Sequence, residues 1–218
     1  MEIKYLGHSS FRIKGKDASL VTDPFDPKMV GLDYSKVGAE IVTVSHGHSD
    51  HNQVKRVEGT STRSEPFVVD RPGEYEVGGI GIIGVKTKHD SKEGKERGDN
   101  LIMVIQVDGI VVGHLGDLGH VLSDKQVEKI GAVDILMIPV GGEVTIGPSE
   151  AVKVIEQLSP SVVIPMHYRM PGMGADFEGL ITVEEFLDKS GFEARREQKL
   201  SLGKGSLPEE MEVVVLSQ

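Results

Sequence analysis

The 218-residue sequence contains no cysteine and no tryptophan, and only 5% of its residues are aromatic. The absence of cysteine excludes disulfides, thiolate metal ligands and thiol nucleophiles, so a bound metal must be held by histidine and carboxylate. The scarcity of aromatic residues leaves Val, Ile, Leu and Met to build the core, and branched aliphatic residues favour strands. These absences predict a strand-rich protein in which any metal would be bound by nitrogen and oxygen atoms.

Positive charge and long apolar runs are also scarce. The 24 Lys and Arg residues are outnumbered by 34 Asp and Glu, which gives a formal net charge of -10. Because such a surface repels a polyanion, no nucleic-acid partner is expected. No apolar run reaches the ~18 residues of a membrane-spanning helix, and the N-terminus lacks the apolar core of a signal peptide. We therefore expect a cytoplasmic protein without a membrane partner, folded as a single domain over residues 1–218.

Short strand-like segments bounded by turn residues fill the first two thirds of the chain. They cover residues 2–6, 10–13, 19–22, 41–45, 66–69, 80–88, 101–107 and 110–114. The last third alternates continuous apolar strands, 134–140 and 161–166, with helices at 123–130, 148–158 and 183–189. The sequence therefore predicts the α/β class.

The two halves of the chain echo each other at one constant offset. Ile13 corresponds to Val107, Gly15 to Gly109, Asp23 to Asp117 and Ile41 to Ile135. This correspondence predicts two similar units packed against each other, with Asp23 and Asp117 at equivalent strand ends. A site at the junction would draw residues from both halves.

The most informative stretch is residues 45–52, SHGHSDHN, which contains the pattern HxHxDH. His46 and His48, one residue apart at an extended strand end, project to the same side and can share one metal. Ser49 is a plausible helix N-cap that would place Asp50 in a first helical turn, from which Asp50 and His51 face a second metal. The alternative is an exposed histidine-rich turn without metal. Against it, placing four potential ligands beside a buried strand carries a desolvation cost that only a bound cation would offset.

A dinuclear centre needs more ligands than this segment supplies, and other strand ends provide them. His89 ends the segment 79–88, Asp117 lies between glycines just beyond a strand, and His167 follows an apolar run. His89 also borders a charged loop, and His114 is the alternative third ligand for the first metal. His8 and His114 lie in strand-like segments, where they either support the ligands and substrate or serve as core histidines.

Tyr168 and Arg169 directly follow His167, so they are candidates to bind an anionic group of the substrate. An exposed pair at a strand end is the competing interpretation. The glycine-containing segment 170–174 comes next and is either a mobile lip over the site or an ordinary flexible loop.

These motifs together resemble the metallo-β-lactamase-fold hydrolases over roughly residues 1–170. That family has an early strand-end Asp, HxHxDH, a distant His, a bridging Asp and a late His. The matching residues are Asp23, then His46, His48, Asp50 and His51, then His89, Asp117 and His167. The segments 6–11 (LGHSSF), 72–75 (PGEY), 114–117 (HLGD) and 165–168 (PMHY) look like a small prokaryotic branch similar to the ascorbate-phosphate lactonases.

The resemblance implies a four-layer αβ/βα sandwich that binds two divalent metal ions. It places His46, His48 and His89 on one ion, and Asp50, His51 and His167 on the other, with Asp117 bridging them. It also implies that Asp23 holds the HxHxDH loop by hydrogen bonds. Zinc is the best single expectation, while Mn and Fe also suit these ligands.

The expected activity is hydrolysis of a small ester, lactone or phosphoester by hydroxide that the two ions activate. The resemblance gives Asp50 the role of orienting the hydroxide and passing a proton to the leaving group. Two alternatives remain at this stage: a phosphodiesterase or nuclease of the same fold, and a non-catalytic metal-binding regulator.

Overall fold

The computed structural model describes all 218 residues. The chain forms sixteen strands and four α-helices, with 3-10 helices at Val54–Arg56, Ala175–Phe177 and Lys204–Ser206. The strands are β1 Glu2–Gly7, β2 Ser10–Lys14, β3 Ser19–Thr22, β4 Val37–Gly38, β5 Ile41–Thr43, β6 Val57–Glu58, β7 Phe67–Val69, β8 Gly73–Val77, β9 Ile80–Lys88, β10 Asp99–Val107, β11 Ile110–His114, β12 Ile135–Pro139, β13 Val162–Met166, β14 Ala194–Glu197, β15 Leu200–Ser201 and β16 Glu212–Leu216. The helices are α1 Pro27–Val30, α2 Asp124–Ile130, α3 Pro148–Leu158 and α4 Val183–Ser190.

Two mixed sheets face each other across the core. The first has the order β15-β1-β2-β3-β5-β7, and the second has the order β14-β16-β13-β12-β11-β10-β9-β8. Each begins as an antiparallel meander and continues with parallel strands, β3-β5-β7 in the first sheet and β11-β12-β13 in the second. The offset read from the sequence pairs β2 with β10, β3 with β11 and β5 with β12, so the prediction of an α/β sandwich made of two similar halves is confirmed.

Hydrophobic side chains, most of them aliphatic, form one cluster of 46 buried residues between the sheets and under the helices. All five residues of β12 and of β13 are buried, since a parallel strand covered on both faces must be apolar throughout. Helix α3 turns Ala151, Val154, Ile155 and Leu158 inward at helical spacing, as its amphipathic sequence requires. A fully buried Val, Ile or Leu side chain contributes about 1.5–3 kcal/mol by leaving water.

The outer layers of the two halves differ in thickness. Helices α2 and α3 contact strands of the eight-stranded sheet, and α4 packs beside α3. The six-stranded sheet is instead covered by the β4–β6 ribbon, whose Val37 and Val57 form a small core with Val21 and Val42. No helix of the chain has both the length and the apolar character that crossing a membrane demands.

Candidate metal centre

The predicted ligands follow different strands and meet at one edge of the sandwich. Loops after β5, β9, β11 and β13 carry the HxHxDH segment, His89, Asp117 and His167, while His8 lies in the turn between β1 and β2. A hydrogen bond from Leu101 N to Ser45 O (2.8 Å) and one from His167 N to His8 O (2.9 Å) tie the two halves together here. The site therefore belongs to both halves, as the repeat predicts.

Three imidazoles form the first candidate ion site, which we call the histidine group: His46, His48 and His89. His46 Nε2 lies 3.0 Å from His48 Nδ1, and ligand atoms of all three residues lie within 4.8 Å of one another. His114 is not a member. Of the two alternatives that the sequence leaves open, the structure brings His89, and not His114, next to His46 and His48.

A second candidate ion site, the mixed group, consists of His8, Asp50, His51 and His167. Asp50 Oδ2 lies 3.2 Å from His8 Nε2 and 3.4 Å from His51 Nε2. The His51 and His167 rings are stacked with centroids 5.7 Å apart. The structure therefore brings together the three residues that the resemblance assigns to a second ion, and adds His8 beside them.

One oxygen of Asp117 lies between the two groups. Its Oδ2 is 3.1 Å from His89 Nε2, 3.2 Å from His167 Nε2, 3.4 Å from His51 Nε2 and 3.8 Å from His46 Nε2. Asp117 is 2% exposed, so water does not solvate this carboxylate. Four imidazole nitrogens from both groups converge on a single buried oxygen, as expected of a carboxylate that could bridge two ions.

The donor set fits divalent cations. His51 Nε2, both ring nitrogens of His167 and Asp117 Oδ1 are buried without a hydrogen-bond partner. Unpaired buried polar atoms are costly, and a cation satisfies them. Ligand atoms ~2.1 Å from a tetrahedral ion lie ~3.4 Å from one another, which matches the separations around Asp117 Oδ2. Nitrogen and oxygen ligands without thiolate suit Zn, Mn or Fe.

Electrostatics keep His46, His8 and Asp117 in the protonation states that bind a metal. Burial lowers the pKa of His46 to about 3 and that of His8 to about 4, so both rings are neutral. Burial raises the pKa of Asp117, but the neighbouring His167 and His51 outweigh it and hold this pKa well below its ordinary value. Burial likewise lowers the pKa of His51, yet Asp117 and Asp50 raise it well above normal. The negative charges of Asp117 and Asp50 therefore favour a positive charge at or beside His51 Nε2.

Asp23 fixes the loop that carries the ligands. Its Oδ1 accepts a hydrogen bond from Ser45 N (2.7 Å), and its Oδ2 accepts one from Ser45 Oγ (2.5 Å). Asp23 Oδ2 also lies 2.9 Å from His51 Nδ1, which places the proton on Nδ1 and leaves the Nε2 lone pair facing the site. This geometry is the one expected for a carboxylate that orients a metal-binding histidine.

Two other histidines have both ring nitrogens engaged elsewhere. His114 Nε2 donates to Ser9 O (2.8 Å) and its Nδ1 accepts from Gly116 N, so it joins the two halves as a core residue. His120 Nδ1 donates to Val121 O and its Nε2 accepts from Lys88 N at the end of β9. Neither offers a free nitrogen to a cation.

Unusual backbone conformations concentrate at the site. His8, Asp23 and His167 have φ values of 55°, 36° and 52°, in the left-handed region that side chains rarely adopt. Each costs about 1–3 kcal/mol and persists because the surrounding structure enforces it. Gly119 permits a close approach of two loops, since a Cβ there would stand 2.3 Å from His89 C and Asp90 N.

One local prediction about the HxHxDH segment is wrong. Ser49 does not cap a helix, because residues 45–51 form bends and a turn in which His51 N donates to His48 O (3.0 Å). The next helical segment is the 3-10 helix Val54–Arg56. Asp50 is therefore placed by a tight turn and by His8, and no helix dipole acts on it.

The predicted substrate contacts are also corrected. The Tyr168 ring is buried, 6.3 Å from the ring of Tyr5, and Arg169 Nη1 donates to Met173 O and Gly174 O. Both side chains line a separate cavity away from the ligand groups. The left-handed conformation of His167 turns the following residues aside.

The segment 170–174 does not form a mobile lip over the site. It is held away from the ligand groups by Arg169, whose Nη1 donates to Met173 O, and by a hydrogen bond from Gly174 N to Val30 O.

A cavity of about 260 Å³ opens over both ligand groups. Its lining comprises Met29, His48, Ser49, Asp50, His89, Arg97, Asp117, Glu143, Val144, His167, Asp176 and Phe177. Sequence reasoning missed Arg97, Glu143 and Asp176, because these residues lie on loops that carry no motif. Its volume suits a small molecule.

Sequence reasoning also missed two residues that hold the ligand loops. Asn100 Oδ1 accepts from Asp117 N (3.0 Å), while its Nδ2 donates to Leu115 O (2.9 Å). Asp90 accepts hydrogen bonds from the backbone N–H groups of Lys92, Gly94, Glu96 and Arg97. The position of an Asp directly after His89, in a segment containing Gly94, was the available signal for this turn.

Comparison with known proteins is consistent with this site. The profile of the β-lactamase superfamily domain matches residues 2–167. A crystal structure from Thermotoga maritima, described as that of a candidate Zn-dependent hydrolase of the metallo-β-lactamase superfamily, is 39% identical, with a TM-score of 0.78 and coverage of 99% of this chain and 97% of that one. The chain belongs to the metallo-β-lactamase superfamily.

Relatives of the chain share the description "metal-dependent hydrolase". The UPF0173 metal-dependent hydrolase of Pyrococcus abyssi is 31% identical over 203 aligned residues, covering 82% of this chain and 89% of that protein. The corresponding protein of Thermococcus onnurineus is 32% identical with the same coverage. Membership places the chain among the metal-dependent hydrolases of the metallo-β-lactamase superfamily.

Proposed function

We propose that the chain hydrolyses a small ester, lactone or phosphoester, using hydroxide generated at a dinuclear metal centre. The observation that supports this most directly is the contact of one Asp117 oxygen with imidazoles of both ligand groups. A structural zinc site closes with four ligands, whereas seven ligands divided between two ions leave positions for water and substrate. The donor set therefore favours catalysis over a purely structural role.

His46, His48 and His89 would hold one cation, and Asp50, His51 and His167 the other, with Asp117 shared. When bound, two divalent cations supply Lewis acidity, which lowers the pKa of water toward ~7 and polarises the carbonyl or phosphoryl oxygen of the substrate. Zinc is the proposed metal, and Mn and Fe are compatible with the same ligands.

The chain's own residues then orient the reactants. Asp50 lines the cavity with 13% of its side chain exposed, and His8 holds its Oδ2 from the buried side. This position lets the free oxygen accept a proton from the attacking water and pass it to the leaving group. Asp23 keeps His51 in the tautomer whose lone pair faces the cavity.

The substrate is proposed to be a small molecule. A cavity of about 260 Å³ is below the usual range for drug-sized ligands, which favours a small substrate. The net charge of -10 opposes binding of nucleic acid. A phosphodiesterase acting on a small diester remains within the proposed class.

Replacing Asp117 tests the proposal. Asp117→Ala should reduce bound metal from two ions per chain to one and lower kcat/KM by about 100-fold or more, because loss of the shared ligand removes one cation's Lewis acidity. Metal content is measured by elemental analysis, and activity on a panel of a carboxylate ester, a lactone, a phosphomonoester and a bis-phosphodiester. Asp188→Ala, an exposed change on α4, is the matched control.

Full activity in Asp117→Ala would refute the dinuclear mechanism. Wild-type protein with two ions that hydrolyses nothing in the panel would instead favour a metal-binding regulator. Hydrolysis of only the bis-phosphodiester would assign the chain to the phosphodiesterases.

A further inference from the structure

Arg97 is the sole lysine or arginine among the residues that line the cavity over the ligand groups. The charged side chains around it are Asp50, Asp117, Glu143 and Asp176, together with the ligand histidines. Arg97 itself makes no side-chain hydrogen bond or ion pair within the chain: only its backbone N–H is engaged, by Asp90. A guanidinium at the wall of a metal cavity, with all of its donors free, is available to a ligand.

The only basic side chain of the cavity wall favours an anionic ligand. Arg97 is the one lysine or arginine in that wall, and no carboxylate of the chain pairs with its guanidinium. A negative group of the substrate would supply the missing partner, whereas Arg97 would repel a cationic substrate.

The loop that carries Arg97 is held in one conformation. Asp90 Oδ1 accepts from Lys92 N (2.8 Å) and Gly94 N (2.9 Å), and Asp90 Oδ2 accepts from Glu96 N (3.1 Å) and Arg97 N (2.8 Å). Asp90, the first residue of the loop, packs against Gly119, where a Cβ would lie only 2.3 Å from Asp90 N. The backbone at Arg97 is thereby anchored to the segment that supplies His89, which reduces the entropy lost when the side chain binds.

We propose that Arg97 binds an anionic group of the substrate, a carboxylate or a phosphate, that lies apart from the bond being cleaved. The inference rests on the proposed hydrolase function and narrows it to small esters or lactones bearing a negative charge. A guanidinium donates two parallel hydrogen bonds to either group, so it supplies direction as well as charge. Arg97 takes the role that the sequence suggests for Arg169, whose guanidinium is occupied by loop carbonyls.

The test compares two esters with the same leaving group, neutral 4-nitrophenyl butyrate and the negatively charged mono-4-nitrophenyl ester of succinate, on the zinc-loaded protein. Arg97→Gln should lower the ratio of kcat/KM for the charged ester to that for the neutral ester by about tenfold or more. Arg97→Lys should recover part of this ratio, because it keeps the charge and loses the paired hydrogen bonds. Metal content is measured in parallel and should stay at the wild-type value.

Lys95→Gln is the matched control, since it removes the same charge from the same loop at a residue outside the cavity lining. It should leave the ratio within twofold of wild type. An equal fall in Lys95→Gln, or an unchanged ratio in Arg97→Gln, would overturn the assignment of Arg97.

Calorimetric titration of the loaded protein with inorganic phosphate and with succinate supplies a readout independent of turnover. Arg97→Gln should weaken at least one of the two by about tenfold, and the more affected anion identifies the group that Arg97 binds. If the wild type hydrolyses neither ester, this titration still tests Arg97 while the proposed function alone fails. Equal affinities in wild type and Arg97→Gln for both anions would sink the inference.

Discussion

Asp23 and Asp117 occupy corresponding positions in the two halves of the chain but have different neighbours. Asp23 is surrounded by hydrogen-bond donors, Ser45 and the Nδ1–H of His51. Asp117 faces imidazole Nε2 atoms, and its Oδ1 has no partner. The same residue type at the same place in the repeat thus serves as a structural clamp in one half and as a candidate bridging ligand in the other.

Changing Asp23 to Asn should weaken metal binding while preserving the fold. Asp23 accepts three hydrogen bonds through two oxygens, and asparagine replaces one of these oxygens with an NH2 group that cannot accept. With the amide oxygen facing Ser45 N, His51 loses the acceptor that fixes its tautomer. We expect a 10- to 100-fold loss of metal affinity, measured by competition with a chromophoric chelator. Asp17→Asn, at an exposed position, serves as the control, and equal affinities for the Asp23 variant and wild type would contradict the clamp.

Sequence spacing predicts which residues gather at the site but not which way the flanking residues point. HxHxDH and the strand-end residues His89, Asp117 and His167 come together because the ends of neighbouring strands meet at one edge. Tyr168 and Arg169 were misplaced because their direction depends on the left-handed φ of His167, which no residue type announces. The sequence does not indicate that Arg97 lines the cavity, because its position depends on the turn that Asp90 stabilises.

At the scale of elements, periodicity predicts most buried strands and amphipathic helices, although the buried strand β16 was not predicted. Strands β3, β9 and β11 and helix α3 have the predicted bounds. β8 and β14 were missed because their residues, GEYEV and ARRE, are largely exposed and lack the apolar run that marks a core strand. No helix begins at Ser49, because the four potential ligands within residues 46–51 make tertiary contacts that outweigh the local capping signal.

The glycines of the site loops should differ sharply in their tolerance to alanine. Gly119→Ala puts a Cβ 2.3 Å from backbone atoms of His89 and Asp90, so the end of β9 must move and His89 leaves the histidine group. Gly47→Ala, inside HxHxDH, meets nothing within 4 Å and should behave as wild type. Elemental analysis should find about one ion fewer in the Gly119 variant only. Two ions in both variants would show that the β9 end adapts without cost.

At the scale of the whole molecule, the site lies where the two sheets are joined. Ligands from the first half, His46 to His51, and from the second, His89, Asp117 and His167, approach one another across that junction. A bound cation would therefore contact both halves at once. Ions that bind only the folded chain stabilise it, because unfolding separates the ligands.

Removing metal should lower the melting temperature. With free Zn²⁺ at 100 times its Kd, binding to one site contributes about 2.7 kcal/mol to the free energy of unfolding. In a chain of this size that corresponds to a fall of roughly 5–10 °C after chelation, measured by calorimetry. Zn²⁺ should restore the transition, whereas Mg²⁺, which prefers oxygen ligands, should not. A melting temperature indifferent to chelator would count against metal bound between the halves.

The hydrogen bonds Leu101–Ser45 and His167–His8 run between the halves directly beneath the cavity. Widening the cavity by hinging one sheet from the other would break both bonds and pull the ligands out of reach of one another. The floor of the site is consequently rigid, and access is governed by the rim, where Arg97, Glu143 and Asp176 stand on separate loops. Changes in those rim loops alone would therefore alter which substrate binds while leaving the metal ligands in place.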